Sequence, residues 1–235
     1  MSGFIEDLRL AIRSCWKQPG NSAAIVLSLA LGVGLNAAVF SVINAFLFRP
    51  LAVPGAKQLV VLATRDHHME YPHSLSYADA EDLADCPAFS GVISYRPVRA
   101  ELNSTSDAQR VWVELVSGNY FNFLKARPAA GRLLTASDDV PGGNAAIVLS
   151  WRFWKRRFAG DAGIVGKPLR VNGQSFTVAG ITEQRFPGTE PMFEMDAYVP
   201  AHTISLLLPD RARDLEQRDR HVFRAMARTS IMHSA

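Results

Sequence analysis

The uncharged stretch from Ser22 to Phe48 constrains this chain more than any other feature. As an α-helix, its 27 residues would be about 40 Å long at ~1.5 Å per residue. The hydrocarbon core of a bilayer needs only ~30 Å, so the segment is long enough to cross a membrane with some tilt. Pro19-Gly20 breaks the chain before it, and Arg49-Pro50 ends it, because proline disfavours helical geometry in the preceding residue. The sequence therefore predicts a transmembrane helix over residues 21–49.

Basic residues are distributed unequally around this span. Arg9, Arg13 and Lys17 lie before it, whereas Arg49 is the only basic residue close behind it. The positive-inside rule then places the N-terminus in the cytoplasm and everything after Pro50 outside. A cleaved signal peptide also begins with basic residues, but its apolar region is only ~7–15 residues long and ends at a small-residue site. The length of this span favours an uncleaved anchor.

Small residues recur at every fourth position within the span and form two rows. Such residues let helix backbones approach closely in lipid, and the amides of Asn36 and Asn44 need polar partners there. The alternative is a lone anchor that happens to be rich in Ala and Gly. We expect a packing face for other membrane helices, made up of Ser28, Gly32, Gly34, Asn36 and Asn44.

The residues before the span are predicted to form a second, different helix. Apolar side chains recur there at helical spacing, which is typical of an amphipathic helix that lies along the cytoplasmic membrane surface. A helix in a soluble core is the alternative, but the adjoining span favours the membrane surface. The prediction covers residues 1–20, and the apolar face consists of Phe4, Ile5, Leu8, Ile12 and Trp16.

Beyond Pro50, short apolar segments alternate with turn residues. Asn172-Gly173 lies between the apolar arms of Leu169–Ala179, which predicts a hairpin with a type I′ turn. Ser76, followed by Asp79 at capping-box spacing, predicts a helix start. Interleaved strands and helices with short turns indicate an α+β domain with a mixed sheet. The predicted strands are Leu59–Leu62, which we expect to be buried, Val111–Val116, Ala146–Leu149 and Asp196–Pro200, and the predicted helices are Ser76–Leu83, Tyr120–Leu124 and Trp151–Phe158.

The end of the chain is less regular. Residues from Pro209 to Arg228 carry many charges of both signs, which is typical of a solvated helix or a frayed end.

The sequence lacks the motifs of several enzyme classes. It contains no Gly-x-x-x-x-Gly-Lys-Ser/Thr loop, no Gly-x-Ser-x-Gly elbow and no His-Glu-x-x-His pair. The net charge of +3 excludes a strongly basic nucleic-acid-binding domain. Cys15 and Cys86 would lie on opposite sides of the membrane, so we expect no disulfide between them. We predict no catalytic, cofactor or metal site.

Three clusters of polar or aromatic residues have simpler explanations. His67, His68 and His73 match no common metal-site spacing and are expected in an exposed loop. The acidic run of Asp79, Glu81, Asp82 and Asp85 is expected on a solvated helix face, since catalytic carboxylates need a pocket. The third cluster, whose aromatic residues could stack nucleic-acid bases but have the helical spacing of a core, contains Trp151, Phe153, Trp154 and Phe158 around Lys155, Arg156 and Arg157.

Several segments in fixed order give the chain a family resemblance over roughly residues 5–228. The membrane part resembles the first membrane segment of the MacB-like/FtsX-like ABC permeases, in particular their duplicated orphan branch. The later segments resemble the periplasmic core domain of the same family. The segments are Asp7-Leu8-Arg9, Ala30–Val42, Leu47–Leu51, Val116–Phe121, Gly131-Arg132, Val148–Ser150, Phe153–Phe158, Ile164–Gly166, Leu169–Gly173, Phe176–Ile181 and His221–Arg228, the last of which resembles the start of a strand.

The resemblance implies an architecture and a set of partners. Permeases of this family have four membrane helices, bind a separate cytoplasmic ABC ATPase, and relay ATP-driven helix movement to the periplasm without catalysis by the permease itself. We expect residues 21–49 to span the inner membrane, residues 50–228 to form an incomplete periplasmic core domain, and residues 229–235 to be a divergent tail. Partners would be the lipid bilayer, the ATPase, and other permease helices or a second permease copy, with no nucleic acid.

Two functions follow from this comparison. The first is a permease subunit, truncated after Arg228, of an ABC-type export or mechanotransmission system. The second is a single-pass, membrane-anchored extracytoplasmic module for binding or sensing, without transport activity, which the missing later helices favour.

Overall fold

The computed structural model describes residues 19–47, 55–65, 74–103, 108–190 and 194–230. The chain divides into two units, Met1–Pro50 and Leu51–Ala235, and each is described by itself. Nearly all of the predicted amphipathic helix and the whole histidine cluster at 67–73 lie outside the described residues.

The first unit contains helix α1, Pro19–Leu47. Its segment Ser22–Ser41, with a mean hydropathy of 2.2, is long and apolar enough to cross a membrane, and it is the one such helix within the described ranges. Large apolar side chains are exposed all round it, including Ile25 (61%), Leu31 (71%) and Phe40 (67%). A helix that is apolar on every side needs lipid or other helices around it, so α1 agrees with the predicted span.

The described residues of the second unit form a mixed sheet of nine strands. The path through the sheet is β1-β9-β2-β3-β8-β5-β7-β4, and β6 pairs with both β2 and β7. Parallel pairing occurs between β3 and β8 and between β5 and β7, and all other pairs are antiparallel. The strands are β1 Leu59–Leu62, β2 Phe89–Asn103, β3 Ala108–Val116, β4 Pro128–Gly131, β5 Ala146–Leu149, β6 Pro168–Val171, β7 Gln174–Thr182, β8 Ala197–Pro200 and β9 Arg224–Thr229.

Because β6 joins β7 to β2, six strands close into a ring in the order β2-β3-β8-β5-β7-β6. The joint between β6 and β2 is the single pair Leu102–Val171. The largest buried cluster takes side chains from all six of these strands, among them Val113, Phe176 and Val199. A second cluster, which includes Tyr120, Phe121 and Tyr198, packs elsewhere on the same sheet.

Short helices cover this sheet. Ser76 caps α2 by accepting a hydrogen bond from the Asp79 amide at 3.0 Å, as the sequence predicted. On α4, Phe153 and Trp154 are buried, which confirms that these aromatic residues belong to the core. The α-helices of this unit are α2 Tyr77–Ala84, α3 Tyr120–Phe123, α4 Trp151–Phe158 and α5 Ile204–Leu207, and 3₁₀ turns occupy Ala56–Gln58, Ala136–Asp138, Ala162–Ile164, Ala201–Thr203 and Pro209–Leu215.

The predicted hairpin joins β6 to β7. Asn172 and Gly173 have φ values of 49° and 77°, the left-handed pair that a type I′ turn requires. The Asn172 side chain also accepts from the Glu101 amide at 2.7 Å and donates to the Leu207 carbonyl at 2.8 Å. The turn therefore ties β2 and α5 to the hairpin.

Two predictions about strands were wrong in part. Strand β1 forms where expected but is not buried, since Val60 (37% exposed) and Val61 (69%) lie on a strand that pairs only with β9 among the described strands. The charged tail contains the 3₁₀ turn Pro209–Leu215 but ends in β9, not in a solvated helix or a frayed end, because it gains strand partners on both sides from β1 and β2. The strand agrees with the family resemblance of His221–Arg228.

Candidate functional site

The five residues of the predicted packing face all lie on α1, and all are exposed. At 3.6 residues per turn, each four-residue step turns ~40° around the axis, so Ser28, Gly32, Asn36 and Asn44 follow one slanted line along the helix. Gly34 lies roughly 160° around the axis from Gly32, on the other side of the helix. The single face expected from the sequence is therefore two lines on nearly opposite sides, because a spacing of two residues crosses the helix.

Both helix glycines have open space beside them. A Cβ placed on Gly32 or on Gly34 would meet nothing within 4 Å. The small size of these residues thus serves no contact within the described part of the chain. The space is available for close approach of another helix.

The main polar centre of the second unit is Asp139. One carboxylate oxygen accepts from the Tyr77 hydroxyl and the Gly118 amide, both at 2.9 Å. The other accepts from the His202 amide and lies 2.9 Å from its Nδ1. Burial, with Asp139 adding to the effect, raises the pKa of Tyr77 well above its usual range. Asp139 therefore joins α2, the β3–α3 turn and the chain after β8.

An Asp–His pair is also half of a nucleophile-activating arrangement. Among the described residues, however, no hydroxyl or thiol group makes a hydrogen bond to the second ring nitrogen of His202. The Tyr77 hydroxyl donates to the carboxylate and not to the imidazole. The geometry at Asp139 is thus that of a structural joint.

A cavity of about 330 Å³ opens beside this joint, between α2 and β2. Its wall includes Glu81, whose pKa is raised by burial, and Ser94, which is buried. Asp79 and Asp82 of the predicted acidic face each bind Arg218 at 2.7 Å. Asp79 and Asp82 thus belong to a solvated ion pair, whereas Glu81 lies on the wall of the cavity. Within the described residues, no group of three metal-ligating side chains occurs.

The aromatic and basic cluster on α4 is occupied within its own domain. The Lys155 ammonium lies 5.1 Å from the centre of the Trp151 ring and 4.7 Å from that of Trp154. Arg156 pairs with Asp196 at 2.7 Å. These contacts explain the cluster as a core helix with a paired outer face.

A second polar centre was not predicted from the sequence. Glu114 of β3 is fully buried, and its carboxyl group contacts the hydroxyls of Tyr120 and Thr189. Its one sequence signal is an acidic residue inside the apolar run Val111–Val116. Thr189 lies 75 positions away in the sequence and Tyr120 belongs to α3, so the sequence does not identify these two hydroxyl partners.

The comparisons with known proteins concern both units. The profile of the family described as MacB-like periplasmic core domain matches residues 22–230. The fold is similar to the extracellular domain of the noncanonical ABC-type transporter YknZ from Gram-positive bacteria, with a TM-score of 0.53 and 16% identity over 74% of this chain and 82% of that one. It is also similar to the periplasmic region of MacB from Actinobacillus actinomycetemcomitans, with a TM-score of 0.57 and 17% identity over 82% of this chain and 80% of that one. No curated protein sequence matches the chain.

Proposed function

The chain belongs to the family of MacB-like periplasmic core domains, and we propose that it is a permease subunit of an ABC-type export or mechanotransmission system. The observation that carries this proposal is the extent of the family match. It begins at residue 22, inside α1, and continues to residue 230, so the apolar helix and the domain belong to one family unit. One apolar helix followed by such a domain fits a single-pass membrane protein with an extracytoplasmic domain.

In this proposal α1 spans the inner membrane with its N-terminus in the cytoplasm. The basic residues Arg9, Arg13 and Lys17 before the span support that orientation through the positive-inside rule. The domain then lies outside, and a separate ABC ATPase contacts the cytoplasmic end. The chain itself carries out no catalytic step.

The sheet offers a route by which helix movement would reach the domain. Strand β1 is the first strand after α1 in the sequence, and it pairs along its whole length with β9. Strand β9 pairs in turn with β2, which contributes to the closed ring. A pull on β1 would thus be carried by backbone hydrogen bonds into the ring.

Site-specific photocrosslinking in membranes tests the ATPase contact. A photoreactive phenylalanine derivative at Trp16, on the predicted cytoplasmic side, should capture an ABC ATPase that mass spectrometry identifies. The same group at Asn122, an exposed residue of α3, should not capture it. If neither position captures an ATPase, the relay is wrong, and a membrane-anchored binding or sensing module becomes the better explanation.

A further inference from the structure

Three buried side chains form a closed triangle of hydrogen-bond contacts in the second unit. The Tyr120 hydroxyl lies 2.9 Å from one carboxyl oxygen of Glu114, and the Thr189 hydroxyl lies 3.0 Å from the other. The two hydroxyls lie 3.0 Å from each other. Glu114 and Tyr120 are 0% exposed and Thr189 is 4% exposed, so the triangle is closed to solvent.

The number of hydrogens in this triangle depends on the charge of Glu114. Three oxygen–oxygen contacts need three hydrogens, but an ionised carboxylate offers none, and the two hydroxyls supply one each. If both hydroxyls donate to the carboxylate, no hydrogen is left between them. A protonated Glu114 supplies the third hydrogen: it donates to one hydroxyl, which donates to the second, which donates to the other carboxyl oxygen. Only the neutral acid completes the ring.

The charged groups around Glu114 leave it without a cation of its own. Arg224 of β9, the basic residue that acts on it, forms an ion pair with the buried Glu190. Burial is the largest influence and raises the pKa of Glu114 to about 7, while the two hydroxyl contacts and Arg224 lower it and Glu190 raises it. The groups that face Glu114 are Tyr95 of β2, Tyr120 of α3, Thr189 and Glu190 of the β7–β8 connection, Tyr198 of β8 and Arg224 of β9.

The triangle is also the attachment of one segment to the sheet. Residues 183–190 begin the connection between β7 and β8, and we call them the connecting segment. Thr189 binds Glu114 on β3, and the adjacent Glu190 binds Arg224 on β9. Strands β3 and β9 lie on either side of β2, so two consecutive residues of the segment reach across three strands.

We propose that Glu114 is a proton-operated latch, which holds the connecting segment on the sheet while its carboxyl group is protonated and loosens that hold when the proton leaves. Ionisation removes one of three hydrogens from the ring and leaves a negative charge, without a cation of its own, in a site that is closed to solvent. Water must then reach the carboxylate, and the segment above it must move to admit that water. Glu190 and Arg224 keep the segment attached at its other contact.

The sign of the pH effect follows from the direction of the pKa shift. The pKa of Glu114 is raised in the closed state above its ordinary value of 4.5. The latch is therefore fully closed below about 4.5 and weakens as the pH rises through about 7. The equilibrium constant for opening of the latch should rise about tenfold per pH unit between pH 4.5 and pH 7, and it should not change further above pH 7.

The direct test is the titration of Glu114 in the full-length chain in detergent micelles. The ¹³C shift of its carboxyl carbon, assigned by its loss in Glu114→Gln, should change with a midpoint near 7. A midpoint near 4.5, the value of an ordinary glutamate, would overturn the proposal. Only the wild-type protein needs to stay folded across the titration, since Glu114→Gln is used for the assignment at a single pH.

Hydrogen exchange of the connecting segment, corrected for the intrinsic rate, tests the consequence. The wild-type rate should rise at least tenfold between pH 5 and pH 8. Glu114→Gln should abolish that rise, because its amide supplies both a donor and an acceptor and does not ionise. Thr189→Val, which cannot bind the carboxyl group, should exchange fast at every pH. Glu183→Gln, in the same segment but bonded to the Arg127 amide at 3.1 Å, should keep the wild-type rise. A wild-type rate that does not depend on pH would contradict the latch.

Discussion

Val60 of β1 lies opposite Ala227 of β9 in antiparallel register. Among the described strands, this pair joins the first one after the apolar helix to the last one in the sequence. Ala227 is 0% exposed and belongs to a small cluster with Leu75 and Val92. Because Ala227 is the buried residue of this pair, a substitution there tests how much the junction of β1 and β9 contributes to stability.

Ala227→Asp should destabilise the domain strongly, because it places an unpaired carboxylate in a closed apolar cluster. The expected loss is about 3 kcal/mol or more of unfolding free energy. Val61→Asp makes the same change in the neighbouring strand at a side chain that is 69% exposed, and it should cost less than ~0.5 kcal/mol. Denaturant midpoints of the full chain in detergent measure both losses. Equal midpoints for Ala227→Asp and Val61→Asp would contradict the burial of Ala227 at the junction of β1 and β9.

The turn at Asn172-Gly173 gives a second stability prediction. Gly173 has a φ of 77°, and a Cβ there would meet nothing within 4 Å. Gly173→Val should therefore cost about 1 kcal/mol or more through backbone strain alone. Gly173→Asn is the matched control, since asparagine tolerates this conformation. An unchanged midpoint in Gly173→Val would show that the turn does not have the type I′ geometry.

Local signals predicted much of this fold. The helix start at Ser76, the helix Trp151–Phe158, the hairpin at Asn172 and the apolar span depend on residues close in sequence, and the structure has all of them. Strand β2 was not predicted from the sequence, because Pro97 and its charged neighbours interrupt the alternation of apolar and polar residues that marks a strand. Proline, which has no N–H to donate, is tolerated at this position because β2 pairs with β3 along one edge only. The other edge of β2 has no described strand partner at Pro97.

The polar centres depend on contacts that are distant in sequence. Glu114 meets Thr189, 75 positions away, and Asp139 meets Tyr77 and His202, 62 and 63 positions away. Burial decides the chemistry of each group, and burial follows from packing of the whole sheet. The packing face on α1, by contrast, was predicted from residue types and stays a prediction; the 3.6-residue period of the helix places its residues on two lines.

Acid should weaken the domain at Asp138. The Arg132 guanidinium, which binds both its carboxylate oxygens at 2.6 and 2.7 Å, holds the pKa of Asp138 below its usual range. A lowered pKa contributes stability above the unfolded value of ~3.9 that is lost as the pH falls through the folded value.

Asp138→Asn should thus lower the denaturation midpoint at pH 7, and the difference from wild type should shrink towards pH 3. Asp161→Asn is the control, because Asp161 caps a 3₁₀ turn through the Gly163 amide and pairs with no arginine in the part of the chain that the structure describes, and asparagine caps equally well. If the Asp138→Asn difference were the same at both pH values, the ion pair would not contribute.

The two lines of small residues on α1 are separable by single substitutions. In a transmembrane association reporter that carries residues 18–50, Gly32→Leu should weaken association if the line through Ser28 and Asn36 forms the contact, because bulk prevents close approach of the backbones. Gly34→Leu tests the opposite line. Leu29→Ile and Leu35→Ile should have smaller effects. Equal signals from wild type and the double Gly→Leu variant would leave α1 a plain anchor.

The central claim is that α1 remains as an anchor and places the domain outside the cytoplasm. Intact cells expressing single-cysteine variants, treated with a membrane-impermeant maleimide, test it most directly. A variant with only Asn122→Cys, at an exposed position of α3, should be labelled in intact cells on a membrane-bound chain of full-length mass. A variant with only the native Cys15 should be labelled only after the membrane is permeabilised. Protection of Asn122→Cys in intact cells, or a soluble shortened chain that has lost Cys15, would contradict the account.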